Sequence, residues 1–274
     1  MLFLHHIPQP PLAQFVEMFW YYDGFPQRDH THERLMPDGS VELVINLKKD
    51  AARIYDRDDL SKYDELPGTL ICGPHSNFFV IDTAQQACVL GIHFKPGGSF
   101  PFFKFPADEL HNRHVALEDL WGPEARFLRE RLLVAAAPHE KFRILEESLL
   151  VRAFKPLERH PAVGFALSMF GSVNRPRSVA EVSDRIGMSS RRFIQLFSDE
   201  VGLTPKLFCR VQRFQQVLKM LQASREHDWV DVAATCGYYD QAHFIHDFKA
   251  FSGINPTTYA ACQTDHMNHV PVIE

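Results

Sequence analysis

Over residues 1–115, apolar and polar residues alternate in short stretches bounded by Pro, Gly and Asp, which is the punctuation of β-strands. After the turn-forming Pro37-Asp-Gly39, the run Val41–Leu47 places Val41, Leu43, Ile45 and Leu47 on one face of a strand. Phe78–Thr83 and Ala87–Phe94 have the same character. Lys95-Pro-Gly-Gly98 closes the last of them, because proline and glycine do not continue a ladder. The pattern predicts a mostly antiparallel β sandwich or small barrel.

After Pro106 the period lengthens. Phe127, Leu128, Arg131 and Leu132, then Phe142, Leu145, Leu149, Leu150 and Phe154, recur at three to four residues and predict two helices within a connecting segment, 116–158. Such helices bridge domains, pack on their own core or meet a second copy of the chain, and packing on their own core is the commoner use. The polar stretch Ser172–Ser178 reads as a loop inside the next domain, 159–262. Residues 263–274 lack periodicity and are expected to form a flexible tail.

An internal repeat dominates the C-terminal part. Ser178–Pro205 matches Asp228–Pro256 at an offset of 50, shifting to 51 after one inserted residue. Ser178-Val-Ala-Glu181 is a capping box, and Asp228-Trp-Val-Asp231 has the same acceptor-x-x-acid form. Each opens a short helix that stops at a glycine, Gly187 or Gly237. A new cap, Ser189 or Asp240, starts a second helix with an apolar stripe at Phe193, Leu196 and Phe197, or at Phe244 and Phe248. The second helices end at Gly202 and Gly253, and Thr204-Pro205 or Asn255-Pro256 then caps a third.

Helix, glycine turn, and a helix with polar residues opposite an aromatic stripe is the helix-turn-helix pattern, whose second helix suits the major groove of DNA. One occurrence would describe any helical hairpin; two with the same caps and aromatics are far more specific. Between them, a helix from Pro205 to about Ala223 carries an apolar stripe at Leu207, Val211, Phe214, Leu218 and Leu221. Its length of about 28 Å suits a connector between reading helices about one DNA turn (~34 Å) apart. The whole is expected to be an α+β multidomain chain.

Charge sharpens the picture. The net charge is −5, yet Asn174–Arg225 holds ten Lys and Arg against four acids, whereas Glu226–Glu274 holds Lys249 against seven acids. The basic segment is where phosphates would be neutralised. The five cysteines are scattered, so neither a disulfide framework nor a CxxC zinc knuckle is expected. No apolar run approaches a membrane span, and Met1-Leu-Phe-Leu lacks the basic flank of a secretory signal, which suggests a cytoplasmic protein with no membrane partner.

Gly237-Tyr-Tyr-Asp-Gln-Ala-His-Phe-Ile-His-Asp-Phe-Lys249, Ser252-Gly-Ile-Asn-Pro256 and Tyr259 resemble the signature of the AraC/XylS family of bacterial transcription regulators. With the first copy, the resemblance spans Pro161 to Tyr259. Leu35–Leu47, Gly73-Pro-His75 and Gly91–Gly98 resemble an uncharacterised β-rich domain found ahead of such DNA-binding halves. The resemblance implies a regulator, an activator by the family's habit. Its partners would be double-stranded DNA, RNA polymerase, a small-molecule effector in the β-rich domain, and a second copy in a homodimer, with no cofactor.

The family's base-reading positions fall at Arg191, Ile194 and Gln195, flanked by Ser190 and Arg192, and in the second copy at Gln241, Ala242, His243, Ile245 and His246. Arginine pairs bidentately with guanine and glutamine with adenine. Arg175, Arg177, Arg210 and Arg213, with Ser190 and Arg192, are the expected phosphate contacts. The family commonly has arginine where His246 stands, and the second unit is acidic. Its groove contact is therefore expected to be weak, or to strengthen as histidines protonate near about pH 6.5.

The main rival is a metal-dependent enzyme on a cupin-like barrel. His30-x-His32-Glu33 would offer two imidazoles on one strand face, with Glu42, His75 and His93 as further candidates, but the HxH-then-Glu spacing of metal-bearing cupins is missing, and no metal site is expected. Phe19, Trp20, Tyr21 and Tyr22 read as core more readily than as a pocket. A DNA-repair methyltransferase with the same two-copy module would need a reactive cysteine, and Cys72 and Cys88 lack a suitable context. The sequence thus reads as a regulator and not an enzyme.

Overall fold

The structure, a computed structural model, describes residues 2–24, 30–171, 178–224 and 228–272. Its strands are β1 (Leu2–His6), β2 (Val16–Asp23), β3 (His32–Leu35), β4 (Glu42–Asn46), β5 (Ala52–Tyr55), β6 (Tyr63–Leu66), β7 (Thr69–Cys72), β8 (Phe79–Asp82), β9 (Cys88–Phe94), β10 (His114–Ala116) and β11 (His269–Pro271). They form a six-stranded sheet, β1-β2-β9-β4-β7-β10, and a five-stranded sheet, β11-β3-β8-β5-β6.

Period-two alternation divides the six-stranded sheet into two surfaces. Phe19, Leu43, Ile45, Ile71, Leu90, Ile92 and Phe94 point one way into a closed core. Trp20, Tyr22, Glu42, Val44, Leu70 and His93 lie on the other face and line a cavity of about 770 Å3, which Leu35, Ile54, Phe79 and Ile81 of the second sheet also line. The aromatic run of β2 serves both surfaces: Phe19 and Tyr21 are core, whereas Trp20 and Tyr22 border the cavity.

The core face is covered by α1 (Leu117–Trp121), α2 (Glu124–Val134) and α3 (Pro138–Val151). Leu128, Leu132, Phe142, Leu145 and Leu149 join the sheet residues in one hydrophobic cluster. The connecting helices are therefore built into the β domain. Two residues of the expected stripe depart from it: Phe127 is 60% and Leu150 46% exposed. The helices rest on the sheet along a band narrower than their apolar periodicity suggests. Glu140 accepts the backbone N–H groups of Ala136 and Ala137 at the start of α3, and the Lys141 ammonium donates to the carbonyls of Leu132 and Ala135 at the end of α2.

The C-terminal half is helical: α4 (Pro161–Phe170), α5 (Val179–Ile186), α6 (Ser190–Val201), α7 (Pro205–Ala223), α8 (Trp229–Thr235), α9 (Gln241–Ser252) and α10 (Pro256–Cys262). Val211, Phe214, Leu218 and Leu221 of α7 are fully buried, as are Phe193 and Phe197 of α6 and Phe244 and Phe248 of α9. Burying each such side chain is worth about 1.5–3 kcal/mol, which makes α7 the spine of the domain.

Residues near the chain end correct the expectation of a flexible tail. His269–Pro271 forms β11, antiparallel to β3, and Val270 is fully buried in the helical domain's core. The strand completes the edge of the smaller sheet while its one apolar side chain fills the second core, so pairing and burial act together where sequence shows no period.

One ion pair joins α7 to α9. Asp247, 4% exposed at its side chain, accepts from Arg210 Nη2 at 2.7 Å and Nε at 3.3 Å, and the guanidinium also lies over the Phe251 ring. Asp247→Asn is expected to lower stability in urea by about 2 kcal/mol, less than the roughly 3–5 kcal/mol of fully buried pairs, because Arg210 keeps about a third of its surface in water. A change under about 0.5 kcal/mol would mean that the pair is not structural.

Candidate nucleic-acid interface

Each helix of the two repeated units is started by a side-chain cap. In the first unit Ser178 Oγ accepts the Glu181 N–H at 3.2 Å while the Glu181 carboxylate accepts the Ser178 N–H at 2.9 Å, closing the capping box. Ser189 then caps α6 through the Arg192 N–H. In the second unit Asp228 caps α8, and Asp240 caps α9 through the His243 N–H at 2.7 Å. Thr204 and Asn255 cap α7 and α10, each followed by proline in the first turn. Every cap read from the repeat is present.

These caps and the buried phenylalanines fix the rotation of α6 and α9 about their axes. Ser190, Arg191, Arg192, Ile194 and Gln195 are exposed on α6, as are Gln241, Ala242, His243, Ile245 and His246 on α9. Ile194 and Ile245, 40% and 38% exposed, occupy equivalent outward positions in the two copies. In a major groove such a side chain can meet a thymine methyl group.

Not all of the expected contacts are free in this state. The Gln195 amide donates to Asp199 at 2.6 Å, one turn along α6. His243 packs edge-on against Tyr238 and lies 3.8 Å from Asp247. Arg210, an expected phosphate contact, has its guanidinium paired with Asp247, an acid 37 residues away that faces it across two helices. Arg213 is half-buried over the Tyr238 ring. Arg175 and Arg177 lie outside the described residues.

The rival constellation does not assemble. His30 precedes β3, so it does not share a strand face with His32 as expected; its Nε2 meets the buried Glu33 at 2.9 Å, and His269 Nδ1 takes the other Glu33 oxygen at 3.0 Å. No group of three or more His, Cys, Asp or Glu among the described residues is placed to hold a metal ion. No helix among them is long and apolar enough to cross a membrane.

Comparison with known proteins matches residues 182–261 to a family described as a helix-turn-helix domain, and residues 4–116 to a domain of unknown function, DUF6597. Residues 182–261 are thus a helix-turn-helix domain. The probable transcriptional regulator LumQ of Photobacterium leiognathi is 28% identical over 116 residues, 42% of this chain and 46% of LumQ. The HTH-type transcriptional regulator Rv1931c of Mycobacterium tuberculosis is 32% identical over 100 residues, 36% of this chain and 37% of the relative. The chain thus spans less than half the length of these relatives. The structure of ToxT from Vibrio cholerae aligns over 95% of this chain and 98% of its own at 9% identity, with a TM-score of 0.47.

A feature invisible in the sequence joins this helix-turn-helix domain to the β domain. The equivalent glycines ending the two reading helices, Gly202 and Gly253, are covered by the same β-domain segment, residues 74–78. A Cβ at Gly202 would fall 2.4 Å from Pro74 Cγ and 2.9 Å from the Ala107 carbonyl; one at Gly253 would fall 2.4 Å from the Phe78 ring. The Phe78 N–H also donates to the Phe251 carbonyl at 2.9 Å. One loop thereby touches the C-terminal ends of both α6 and α9. Its neighbours Gly73 and Phe79, and His75 within it, line the cavity.

Beside Gly202, Glu200 is buried against Arg159, 3.7 Å away, and Arg159 Nη1 donates to the Pro96 carbonyl at 2.8 Å. Burial pushes the Glu200 carboxyl up to about 7, against the opposing pull of Arg159.

Two predictions follow from these contacts. The glycines Gly187 and Gly237 share the left-handed φ of Gly202 and Gly253 but have open space around them, so they separate backbone strain from docking. Gly187→Ala and Gly237→Ala are expected to lose about 1–2 kcal/mol from strain alone. Gly202→Ala should lose roughly a further 1–3 kcal/mol, and Gly253→Ala less than that because a ring yields more easily than a carbonyl. Equal losses at all four in thermal unfolding would refute the docking. For Glu200, a folded-state pKa above the ordinary 4.5 means that stability falls as pH rises from about 4.5 to about 7 and is level above that. Glu200→Gln should flatten that slope, the wild type losing about 1–3 kcal/mol relative to the variant between pH 5 and 7.5; parallel curves would sink the assignment.

Proposed function

We propose that this protein is a cytoplasmic, sequence-specific DNA-binding transcription regulator whose β domain senses a small molecule. The observation that carries the reading is the paired outward face of α6 and α9, two capped helices of one repeat that bury their aromatic stripes and leave their polar sides to solvent. An α-helix so presented fits a major groove, and two on one domain can read successive grooves of a duplex.

In this reading Arg191, Ile194 and Gln195 discriminate bases in one half-site and Gln241, Ala242, His243 and His246 in the other. Gln195 exchanges its bond to Asp199 for an adenine edge. Ser190, Arg192 and Arg213, with Arg175 and Arg177, contact phosphate, which makes affinity fall with salt. The acidic second unit contributes less than the first. Activation through RNA polymerase belongs to the same reading and rests on the resemblance to AraC/XylS regulators. Binding and redirecting transcription need no catalytic group, and the reading assigns none. The exposed Phe127, Val134 and Val151 of α2 and α3 are where a second copy would bind in a homodimer.

Sensing is supported by the cavity between the sheets and by its contacts to the DNA-binding half. Gln215 Nε2 on α7 donates to the Pro37 carbonyl at 2.8 Å and Gln212 Nε2 to the Asp38 carbonyl at 3.0 Å, so the cavity wall is bonded to the spine that carries both reading helices.

Selection of bound sequences from random duplexes is expected to return an asymmetric site about two helical turns long. Arg191→Ala should relax preference at one position by about 1–3 kcal/mol while leaving the others intact. A flat selection profile would overturn sequence reading, and uniform weakening by the variant would reassign Arg191 to phosphate.

A further inference from the structure

The cavity has a charged floor on an otherwise apolar wall. Register places Glu42 of β4 opposite His93 of β9, and Trp20 of β2 opposite Gly91. Trp20 Nε1 donates to Glu42 Oε1 at 2.7 Å, and its indole occupies the space above Gly91, where a Cβ would come within 2.3 Å of the ring. His93 stands between two carboxylates: Nε2 is 3.5 Å from Asp38 Oδ2 and Nδ1 is 3.7 Å from Glu42 Oε1. Because the carboxylates take opposite nitrogens of one ring, the three do not converge on a metal ion.

Charge is left over at this floor. Burial disfavours a proton on His93, but the neighbouring carboxylates of Glu42 and Asp38 outweigh that and lift its pKa to about 9. One imidazolium thus faces two carboxylates, each with more than a quarter of its side chain still open. Burial holds the Asp38 carboxyl above the usual carboxylate range despite His93, whereas at Glu42 the pull of His93 and Trp20 overcomes burial and holds the carboxyl below it. Elsewhere on the lining Lys95 is paired with Glu17, and Arg53 with Glu65 of β6. Lys219 of α7 and Asp265, of opposite charge, lie on the same lining. The walls include Met36, Val44, Leu70, Phe79 and Ile81.

We propose that this cavity binds a small organic cation, an ammonium or guanidinium group on an apolar body, with the charged group held by Asp38 and Glu42 beside the Trp20 ring. Charge-assisted hydrogen bonds and the indole face both favour a cation there, a neutral ligand leaves the excess charge unmatched, and a carboxylate adds a third anion. Asp38 lies on the loop whose carbonyls α7 holds through Gln212 and Gln215, so the group that meets the cation is bonded to the DNA-binding spine. The ligand class deepens the sensing reading above and, for its effect on DNA, rests on it.

Three probes with one indole body and different termini test the class on the full chain by calorimetry and thermal shift: tryptamine, tryptophol and indole-3-propionate. Tryptamine is expected to bind saturably and at least about tenfold more tightly than tryptophol, with indole-3-propionate weakest. Glu42→Gln, which keeps an acceptor for Trp20, and Asp38→Asn should each weaken tryptamine about tenfold more than tryptophol, in variants whose unliganded melting curves stay cooperative. Indole-3-propionate binding as tightly as tryptamine, failure of all three to saturate, or variants that keep the amine preference would each overturn the proposal. Gel retardation with a selected duplex separates it from the sensing reading. Tryptamine binding that leaves retardation unchanged supports the cation site and removes its regulatory role, whereas an indole-3-propionate response in retardation without a tryptamine response overturns the cation site and keeps sensing.

Discussion

Phe193, Phe197, Phe244 and Phe248 decide which way the two reading helices face. Each is fully buried, and the inward pull of these rings toward the core around α7 leaves only the opposite sides of α6 and α9 for polar groups. Had the stripe shifted back by one residue in either copy, Arg192 or His243 would turn inward, and a charged or polar group would be buried without a partner. The orientation of the interface is thus a consequence of hydrophobic burial, and the capping residues set where each helix begins.

The Arg210–Asp247 pair adds a constraint that burial does not supply. Phenylalanines fix rotation and depth but tolerate sliding, whereas a two-point bond from guanidinium to carboxylate fixes α9 along α7. At the far ends of α6 and α9, Pro74 and Phe78 press on equivalent glycines, so the β domain contacts both repeats through one short loop. The same loop borders the cavity, as does the Pro37-Asp38 turn held by α7. A change in the cavity therefore has two routes to the reading helices, one at their ends and one through their spine.

The β domain obeys a different rule. Alternation along β2, β4 and β9 sends Phe19, Leu43 and Ile92 to the helices and Trp20, Glu42 and His93 to the cavity, so a single sheet serves as both core wall and cavity wall. The covering helices α1 to α3 close only the core side. The cavity side stays open between the sheets, and its polar row can be placed there without disturbing the packing that holds the domain together.

Local chemistry was legible in the chain itself. The caps Ser178, Ser189, Asp228 and Asp240, the glycine stops, the stripe of α7 and the alternation of Val41–Leu47 act over a few residues, and each appears where the pattern puts it because caps, turns and amphipathic faces are short-range physics. What required the tertiary structure joins residues far apart in sequence. Asp247 pairs with Arg210 across two helices; Glu33 gathers His30 and His269; β11 finds β3 across more than two hundred residues; Phe127 and Leu150 fall outside the contact band. Nothing in the spacing of Pro74, Phe78, Gly202 and Gly253, or of Asp38, Glu42 and His93, announces that they meet. Such meetings are set by how the packed cores bring distant elements together, and short-range patterns carry no record of that.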